Sequence, residues 1–172
     1  TIVRLVEELS DDSVCSILLF DEASRTLRHG SALNLPEEYM RAIDGTVIGP
    51  SVGSCGTAAY IEQMVIVTDI ARDPLWADYR DLALKFGLSA CWSVPIFSTT
   101  RQVLGTFASY YRTNAAPTQA EINLVGTMAH LVSIAIERFR SEEKLRKSEE
   151  HYRLLFEHSF AGITQMNSKG VM

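Results

Sequence analysis

The sequence predicts an α+β domain, in which a central antiparallel β-sheet is flanked by helices and followed by a long C-terminal helix. Two runs rich in β-branched and aromatic residues, 90–97 and 103–111, enclose a short polar turn and predict a hairpin. Neither run alternates between apolar and polar residues, so we expect both faces of the hairpin to be covered, as in the middle of a sheet. The stretch from Gln119 to about Ser148 contains no proline and predicts the long helix.

The first part of the chain predicts one helix and two strands. Apolar residues at positions 2, 5, 6 and 9 have helical spacing, which favours a helix packed on a sheet. The apolar run 14–20 predicts a buried strand, and residues 26–31 predict a second one. Because apolar and polar residues alternate in 26–31, we expect this strand at the edge of the sheet, with one face in solvent.

The middle of the chain predicts short elements separated by loops. A short helix is expected from Pro36 to Ile43, since a proline and two acidic residues stand at its start. The glycine- and serine-rich stretch 45–56 predicts a tight loop. Three further elements are expected: a helix over 57–62, a strand over 65–68, and an amphipathic helix over 77–86 that ends at Gly87.

The composition is that of a globular domain with a sizeable core. Of the 172 residues, 47% are apolar and 22% are charged, and the formal net charge is −5. This charge argues against a general nucleic-acid-binding protein, which needs clustered lysine and arginine for phosphate contacts. No apolar run is long enough to span a membrane, and the first residues lack the pattern of a signal peptide. We therefore expect a cytoplasmic fragment of a longer protein, whose membrane anchor, if it has one, lies outside this sequence.

The spacing of the three cysteines, Cys15, Cys55 and Cys91, does not form a Cys-x-x-Cys motif. Reduced thiols are therefore expected, and a structural zinc site is not. The four histidines are scattered, and their spacing selects none of them as a haem ligand, so haem binding stays open. No metal site is predicted.

The predicted C-terminal helix changes character along its length. It begins with a capping box formed by Thr118 and Glu121, and it is strongly apolar as far as Phe139. From residue 140 to 153 it is mostly charged, with opposite charges four residues apart that can support an exposed helix. A heptad seam runs through it, with Leu131, Arg138, Leu145 and Tyr152 at one position and Ile134, Ser141, Ser148 and Leu155 at the other.

This seam favours a two-stranded coiled coil, and hence a homodimer through the C-terminal helix. Its polar middle, at Arg138 and Ser141, would weaken that coiled coil. The alternative is a single helix surrounded by solvent. We prefer the two-stranded interpretation, because a helix this polar needs a partner or many charge pairs to persist.

Four motifs follow one another in the order of the predicted elements: Gly-Ser-Cys-Gly-Thr-Ala at 53–58, Val-Ile-Val-Thr-Asp-Ile at 65–70, Trp-Ser-Val-Pro-Ile at 92–96 and Val-Leu-Gly-Thr-Phe at 103–107. Together they resemble the GAF family of sensory domains over residues 1–139. The resemblance implies a GAF/PAS-like (profilin-like) fold, whose five strands have the order 2-1-5-4-3. Residues 103–111 would then form the central strand, with the terminal helices on one face of the sheet and the segment 34–88 on the other.

The tail carries a second resemblance. Residues 148–159 and 161–164 resemble the entrance to a PAS domain, whose second strand would begin at Gly170. The chain would thus divide into a GAF domain over 1–139, a signalling helix over 140–157 and the start of a PAS domain over 158–172. This order is similar to that of bacterial two-component sensor histidine kinases and cyclic-di-GMP enzymes. Their catalytic module lies downstream, so the fragment itself is expected to lack enzymatic activity.

A regulatory domain of this family is expected to bind a small molecule, whose identity the sequence does not indicate. Aromatic rings with a few polar side chains are what such a pocket requires. The candidate pocket residues are Cys55, Thr57, Trp76, Tyr79, Cys91, Trp92, Ser93, Phe107 and Ser109. Core packing explains Trp92 and Phe107 equally well. The Cys-His pair typical of bilin-attaching relatives and the Asn-Lys…Phe…Asp-Glu signature of cyclic-nucleotide-binding relatives are absent, so neither ligand is predicted.

Cys55 suggests an alternative function. It stands between glycines just before a predicted helix, and a helix N-terminus lowers the pKa of a thiol. The motif resembles the Gly-x-Cys-Gly of GAF-fold reductases of free methionine-(R)-sulfoxide, in which case Cys55 and Cys91 would act as the redox pair. The acidic residues with which those enzymes hold the sulfoxide are not recognisable here. The other interpretation is a small buried residue in a tight turn, and it leaves the domain with no catalytic residue.

Overall fold

The structure is a computed structural model that describes residues 2–9 and 13–167. Its elements are α1 (Ile2–Leu9), β1 (Ser13–Asp21), β2 (Thr26–Ala32), α2 (Glu37–Ile43), β3 (Thr46–Val47), α3 (Gly53–Ile61), β4 (Val65–Val67), a 3₁₀ turn (Pro74–Trp76), α4 (Arg80–Lys85), β5 (Ala90–Phe97), β6 (Val103–Tyr111) and α5 (Gln119–Asn167). The predicted α+β class is confirmed. The chain separates into two compact units, residues 1–134 and 135–172, and each is described by itself.

The sheet is antiparallel and has the strand order β3-β2-β1-β6-β5-β4. The central place of β6 is confirmed, since it pairs with β1 on one side and with β5 on the other. The predicted order is wrong in one detail. The two-residue strand β3, which pairs with Thr26 and Leu27, forms the margin of the sheet in place of β2. A strand of two residues is too short to leave a periodic pattern in the sequence.

Two helices differ from their predicted bounds. Helix α3 begins at Gly53 rather than at residue 57, so Cys55 lies inside the helix and not before it. Its start carries no sequence signal, because Val52 provides no side-chain cap and Gly53 has a φ of 55°, a left-handed conformation that favours glycine. The helix predicted over 77–86 is observed as the shorter α4, since residues 77–79 form a turn, and the 3₁₀ turn Pro74–Trp76 precedes it. The Asp73 carboxylate caps that turn by accepting the Leu75 N–H at 2.9 Å.

The two faces of the sheet are covered by different parts of the chain. We call front face the side that carries Leu18, Cys91, Ala108 and Tyr110, which pack in one core cluster with apolar residues of the segment 35–88. The back face carries the alternate residues, among them Cys15 and Phe107. There the Cys15 N–H donates to Glu7 of α1 at 2.8 Å, and Val125, Ala129 and Val132 of α5 are buried. The expected division of the cover between the segment 34–88 and the terminal helices is thus observed in the first unit.

Helix α5 begins as predicted and extends further. The Thr118 N–H donates to Glu121 Oε2 at 2.7 Å, and the Glu121 N–H donates to Thr118 Oγ1 at 3.3 Å, which confirms the capping box. The helix continues to Asn167, so residues 158–167, expected to begin a PAS domain, are helical. Residues 168–172 lie outside the described part, and the PAS assignment stays a prediction. Among the residues described, no helix combines the length and apolar character that a bilayer span requires.

Candidate functional site

Small side chains bring α3 close to the front face of the sheet. Every residue from Gly53 to Ala59 is buried. On the sheet, Ser16, Ala108 and Ser93 stand opposite one another on β1, β6 and β5 and form a row of small side chains. A helix without large side chains on this surface can approach such a row closely, because packing distance between elements follows side-chain size.

The hydroxyl group of Ser54 joins α3 to two neighbouring elements, β5 and the 3₁₀ turn. Ser54 Oγ donates to the Cys91 carbonyl oxygen at 3.0 Å and accepts the Trp76 Nε1–H at 3.1 Å. Both Ser54 and Trp76 are buried. The bond to β5 and the bond from the 3₁₀ turn therefore meet on a single side chain of α3.

Two thiols and a phenol converge beneath α3. Cys55 Sγ lies 3.7 Å from the hydroxyl oxygen of Tyr110, and Cys91 stands opposite Tyr110 in the pairing of β5 with β6. The Tyr39 ring meets the Tyr110 ring edge-on, with the ring centroids 5.8 Å apart. All three groups are buried, and both cysteines are free thiols. We call Cys55, Cys91, Tyr110 and the two nearby hydroxyl residues Ser93 and Thr106 the thiol–hydroxyl cluster.

The cluster makes Cys55 the most acidic of the three thiols. A hydrogen bond from Cys91 lowers the pKa of Cys55 below its ordinary value, against the opposing effect of burial, and the hydroxyls of Ser93, Tyr110 and Thr106 lower it further. Burial raises the pKa of Cys91 well above its ordinary value, and the neighbouring Cys55 adds to this. On the back face, burial raises the pKa of Cys15 to about 11.

Three hydroxyl groups near this cluster have unused hydrogen-bonding capacity. Ser16 Oγ, Ser93 Oγ and Thr106 Oγ1 are buried, and within the described part of the chain none of them makes a hydrogen bond of ordinary length; Ser93 and Thr106 face the Cys55 thiol, and Ser16 faces the Tyr110 hydroxyl, at longer range. A buried polar group without a partner costs roughly 1–3 kcal/mol, so such groups are uncommon and call for an explanation. All three lie on the front face, on three neighbouring strands. The site can therefore give hydrogen bonds to a guest or to a Cys55 thiolate.

A small cavity adjoins the cluster. Its volume is about 30 Å³, enough for roughly one or two water molecules. The lining includes Cys55, Tyr110, Trp76, Tyr79 and Tyr39, and none of the lining residues is charged. A larger guest would have to displace α3 or the loop around Trp76, and an ion would find no charge partner here.

The structure brings together five of the nine predicted pocket residues: Cys55, Trp76, Tyr79, Cys91 and Ser93. Thr57 has a structural role at the start of α3, where its Oγ1 accepts the Val52 N–H at 3.0 Å. Five front-face contributors were not predicted as pocket residues: Ser16, Tyr39, Ser54, Thr106 and Tyr110.

The remaining three predicted pocket residues lie on the back face, which is a correction to the predicted pocket. Trp92 packs on Tyr111, with ring centroids 4.2 Å apart, and donates to the Ala115 carbonyl oxygen at 3.3 Å. Ser109 Oγ lies 3.5 Å from Cys15 Sγ, and Phe107 stands opposite Ile17 and Val94. Side chains alternate along a strand, so none of these three can share a face with Ala108 and Tyr110.

The heptad seam of α5 is exposed wherever its side chains are described. In the first unit, Leu131 and Ile134 are 44% and 52% exposed; in the second, Leu145 and Tyr152 are 62% and 63% exposed. Arg138 donates to Glu142 at 2.9 Å, Ser141 Oγ donates to the Glu137 carbonyl oxygen, and Ser148 is exposed. The side chain of Leu155 lies outside the described residues. Exposed apolar side chains at these positions could be covered by a second helix.

The buried thiols predict that stability falls in alkaline solution. Because the pKa of Cys15 is raised from 9.0 to about 11 in the fold, its contribution is complete below pH 9 and is lost as the pH rises towards 11. Cys91 acts in the same direction. Cys55 acts in the opposite one, since its stabilising contribution is lost when the pH falls through its lowered pKa. For Cys15 alone, the loss is on the order of 2–3 kcal/mol.

Urea unfolding at pH 7, 9 and 10.5 measures this loss, and Cys15→Ala provides the comparison. The variant should have a lower free energy of unfolding at pH 7 and a shallower decline above pH 9. Equal declines in the two proteins would show that the Cys15 thiol does not titrate as proposed.

Comparisons with known proteins agree with this architecture. A family model described as "GAF domain" matches residues 1–137. A curated relative, the methyl sulfide methyltransferase-associated sensor of Methanosarcina acetivorans, is 36% identical over 157 residues. The match covers 91% of this chain and 16% of the relative, so the chain spans about a sixth of that protein's length.

Solved structures share the fold. A domain of a protein described as a two-component sensor histidine kinase, from Sinorhizobium meliloti 1021, has a TM-score of 0.68 at 24% identity, covering 84% of this chain and 92% of that one. The free methionine-R-sulfoxide reductase of Neisseria meningitidis, solved with its substrate, has a TM-score of 0.65 at 18% identity, covering 81% and 76%. At these identities the likeness establishes the fold alone.

Proposed function

The chain belongs to the GAF domain family, and we propose that it is a regulatory sensor domain that binds a small molecule at the thiol–hydroxyl cluster. The similarity to a sensor over 91% of the chain supports a regulatory role rather than a catalytic one. The ligand site, the path of the signal and the output module are proposals, because the chain covers a small part of that relative. A cytoplasmic location is likewise a proposal.

The observation that carries this proposal is the set of buried front-face hydroxyls that make no hydrogen bond of ordinary length within the described part of the chain. Ser16, Ser93 and Thr106 offer three buried hydrogen-bonding groups around Cys55 and Tyr110, and these two residues also line a cavity without charged residues. A ligand that satisfies them would recover part of the desolvation cost that the free protein bears. We therefore expect a small uncharged molecule with hydrogen-bonding atoms, which lifts α3 as it enters.

Native mass spectrometry of the protein purified from cells tests the ligand proposal. We expect a retained small molecule, one per chain. Thr106→Val keeps the shape of the side chain and removes the hydroxyl, so it should lower the retained fraction while leaving stability equal or higher by about 1 kcal/mol. A wild-type protein without any retained mass would favour a dimerisation module with a filled core.

Helix α5 is the proposed route of the signal. Its charged second half is held by local pairs, such as Arg146 with Glu143 at 3.1 Å and with Glu150 at 2.8 Å, which leave it exposed. Polar residues in the middle of the seam keep alternative helix registers close in energy, as a switch requires. We propose that a homodimer forms along this seam and passes the change to a PAS domain, and from there to a histidine kinase or a cyclic-di-GMP enzyme.

A double substitution in the parent protein tests the route. Arg138→Leu with Ser141→Leu makes the seam continuously apolar and should strengthen dimerisation at least tenfold, since each buried leucine contributes roughly 1.5–3 kcal/mol. The output should then become insensitive to the ligand. Arg140→Leu with Lys147→Leu makes the same kind of change at positions facing away from the seam and serves as the control. If regulation of the output is unchanged in the seam variant, α5 is only a spacer.

A thiol reductase of free methionine-(R)-sulfoxide is the second candidate, favoured by one observation. Cys55 and Cys91 lie together, and Cys55 has the lowered pKa that a reacting thiol needs. In that reaction two thiols are oxidised to a disulfide and the sulfoxide is reduced to the sulfide. The sulfoxide oxygen leaves as water, which takes up the two thiol protons. Both thiols are buried, which argues against turnover. NADPH consumption with thioredoxin and thioredoxin reductase decides: activity lost in Cys55→Ser and Cys91→Ser supports the enzyme, and no activity in the wild-type protein excludes it.

A further inference from the structure

A second cleft lies on the other side of the first unit from the thiol–hydroxyl cluster. Its volume is about 330 Å³, within the range of small-molecule sites. One wall is formed by the end of β5 and the turn that follows it, where Arg101 lies, and the other by Gly126, Ala129, His130 and Ser133 of α5. It shares no lining residue with the cavity next to Cys55.

The charge of this cleft is unlike that of the chain as a whole. The chain has 21 acidic residues and a net charge of −5, yet none of the residues that line the cleft is acidic. Arg101 and His130 are its two basic residues. Within the described part of the chain, Arg101 makes no ion pair; its guanidinium carbon lies 4.3 Å from the centroid of the Phe97 ring. Stacking on this ring orients the guanidinium and leaves its N–H groups available.

The turn that carries Arg101 is held by hydrogen bonds, and Arg101 has an unfavourable backbone conformation in it. The Ser98 N–H donates to the Gln102 carbonyl oxygen at 2.8 Å, and Ser98 Oγ accepts the Gln102 N–H at 3.0 Å. Arg101 has a φ of 67°, in the left-handed region where glycine is favoured and another residue costs roughly 1 kcal/mol. Arg25 has a similar φ of 53° in the turn between β1 and β2, so this conformation does not mark Arg101 by itself; Arg101 differs in that its side chain lines the cleft.

Gly126 supplies an independent observation from the opposite wall. A glycine inside a helix costs roughly 0.5–1 kcal/mol relative to alanine. A Cβ added at Gly126 would meet no atom within 4 Å, so packing does not require the glycine. Its effect in the fold is to keep that wall of the cleft open.

We propose that this cleft binds a small anion of the phosphate or carboxylate class. The Arg101 guanidinium would hold the anion through paired N–H bonds, a geometry that suits both groups. The His130 ring lines the same space as a further hydrogen-bonding group. Because Gly126–Ser133 precede residue 135, where the second unit begins, such an anion would contact the helix that is proposed to carry the signal. This site is independent of the proposed ligand at the thiol–hydroxyl cluster.

An NMR titration of the ¹⁵N-labelled 172-residue chain tests the proposal, with pyrophosphate and citrate as probes at constant ionic strength. We expect saturable shifts in the amides of residues 98–102 and 126–133, with a dissociation constant of roughly 0.1–10 mM for at least one probe. Arg101→Gln should weaken binding at least tenfold. Arg101→Gly should do the same while relieving the strained φ, so that loss of binding is not loss of fold.

Two further variants distinguish a built site from general charge attraction. Arg25 is also an exposed arginine in a hairpin turn with a positive φ of 53°, but it does not line the cleft; Arg25→Gln should leave binding unchanged. Gly126→Leu fills the cleft and should abolish binding. The proposal is overturned if neither probe produces saturable shifts in these segments, if Arg25→Gln weakens binding as much as Arg101→Gln, or if Gly126→Leu binds like the wild type.

Discussion

Gly105→Ala is expected to destabilise the protein by about 3 kcal/mol or more, enough to unfold many domains of this size. Gly105 lies on the central strand β6, opposite Leu19 of β1. A Cβ at this position would overlap the Leu18 carbonyl oxygen and lie 3.1 Å from the Leu18 carbonyl carbon and 3.2 Å from Leu19 Cα. These are backbone atoms, which cannot rotate away as a side chain could, so the central strand pair would have to separate.

Gly126→Ala is the matched control for this prediction. It is the same chemical change in a helix with open space around it, and it should be neutral or stabilising by roughly 0.5–1 kcal/mol. Urea denaturation followed by circular dichroism measures both variants. A Gly105→Ala protein that loses less than about 1 kcal/mol would mean that β1 and β6 are not in contact in the register described here.

Trp76→Ala is expected to cost about 3–5 kcal/mol, the usual range for removing a buried aromatic side chain. Trp76 is 3% exposed, its ring lies 3.7 Å from the position of a Cβ on Gly53, and its indole N–H is bonded to Ser54. Truncation leaves a cavity under the loop and removes one of the bonds that fix α3. The sequence left open whether Trp76 belongs to the core or to a pocket. In the structure it packs in the front-face core and also lines the small cavity beside Cys55.

Trp76→Phe separates the two parts of this effect. The phenyl ring fills much of the space and lacks the N–H, so we expect a loss of about 1–2 kcal/mol. Denaturant unfolding followed by circular dichroism gives the free energies, while the fluorescence of Trp92 reports on the back face. If Trp76→Ala and Trp76→Phe cost the same, the hydrogen bond to Ser54 rather than ring packing holds this loop.

The central strand could be predicted because burial on both faces restricts its residues to apolar and small types. Residues 104–111 are all buried, and a strand covered on both faces needs apolar or small residues at every position. Burial on both faces also means that the sequence does not indicate which side chains face the pocket. With both faces apolar, alternation gives no contrast, so Trp92, Phe107 and Ser109 were grouped with residues that lie on the other side of the sheet.

Other differences arise where conformation is decided by tertiary contact or by few residues. The start of α3 depends on the left-handed φ of Gly53 and on the Thr57 side chain, neither of which resembles an ordinary cap. Ser16 and Thr106 belong to the site because the strand pairing brings them beside Tyr110 and Cys55, a tertiary arrangement that leaves no local sequence signal. By contrast, the Thr118–Glu121 capping box is local, and it was predicted correctly.

The double hydrogen bond of Ser54 gives the protein a built-in optical reporter. An event that lifts α3 from β5 while the 3₁₀ turn stays in place would also release the indole N–H of Trp76 from Ser54 and change the water content around the ring. The emission wavelength of Trp76, isolated in a Trp92→Phe background, would therefore follow the helix directly. A chromophore would not have to be attached to observe occupancy of the front face in real time.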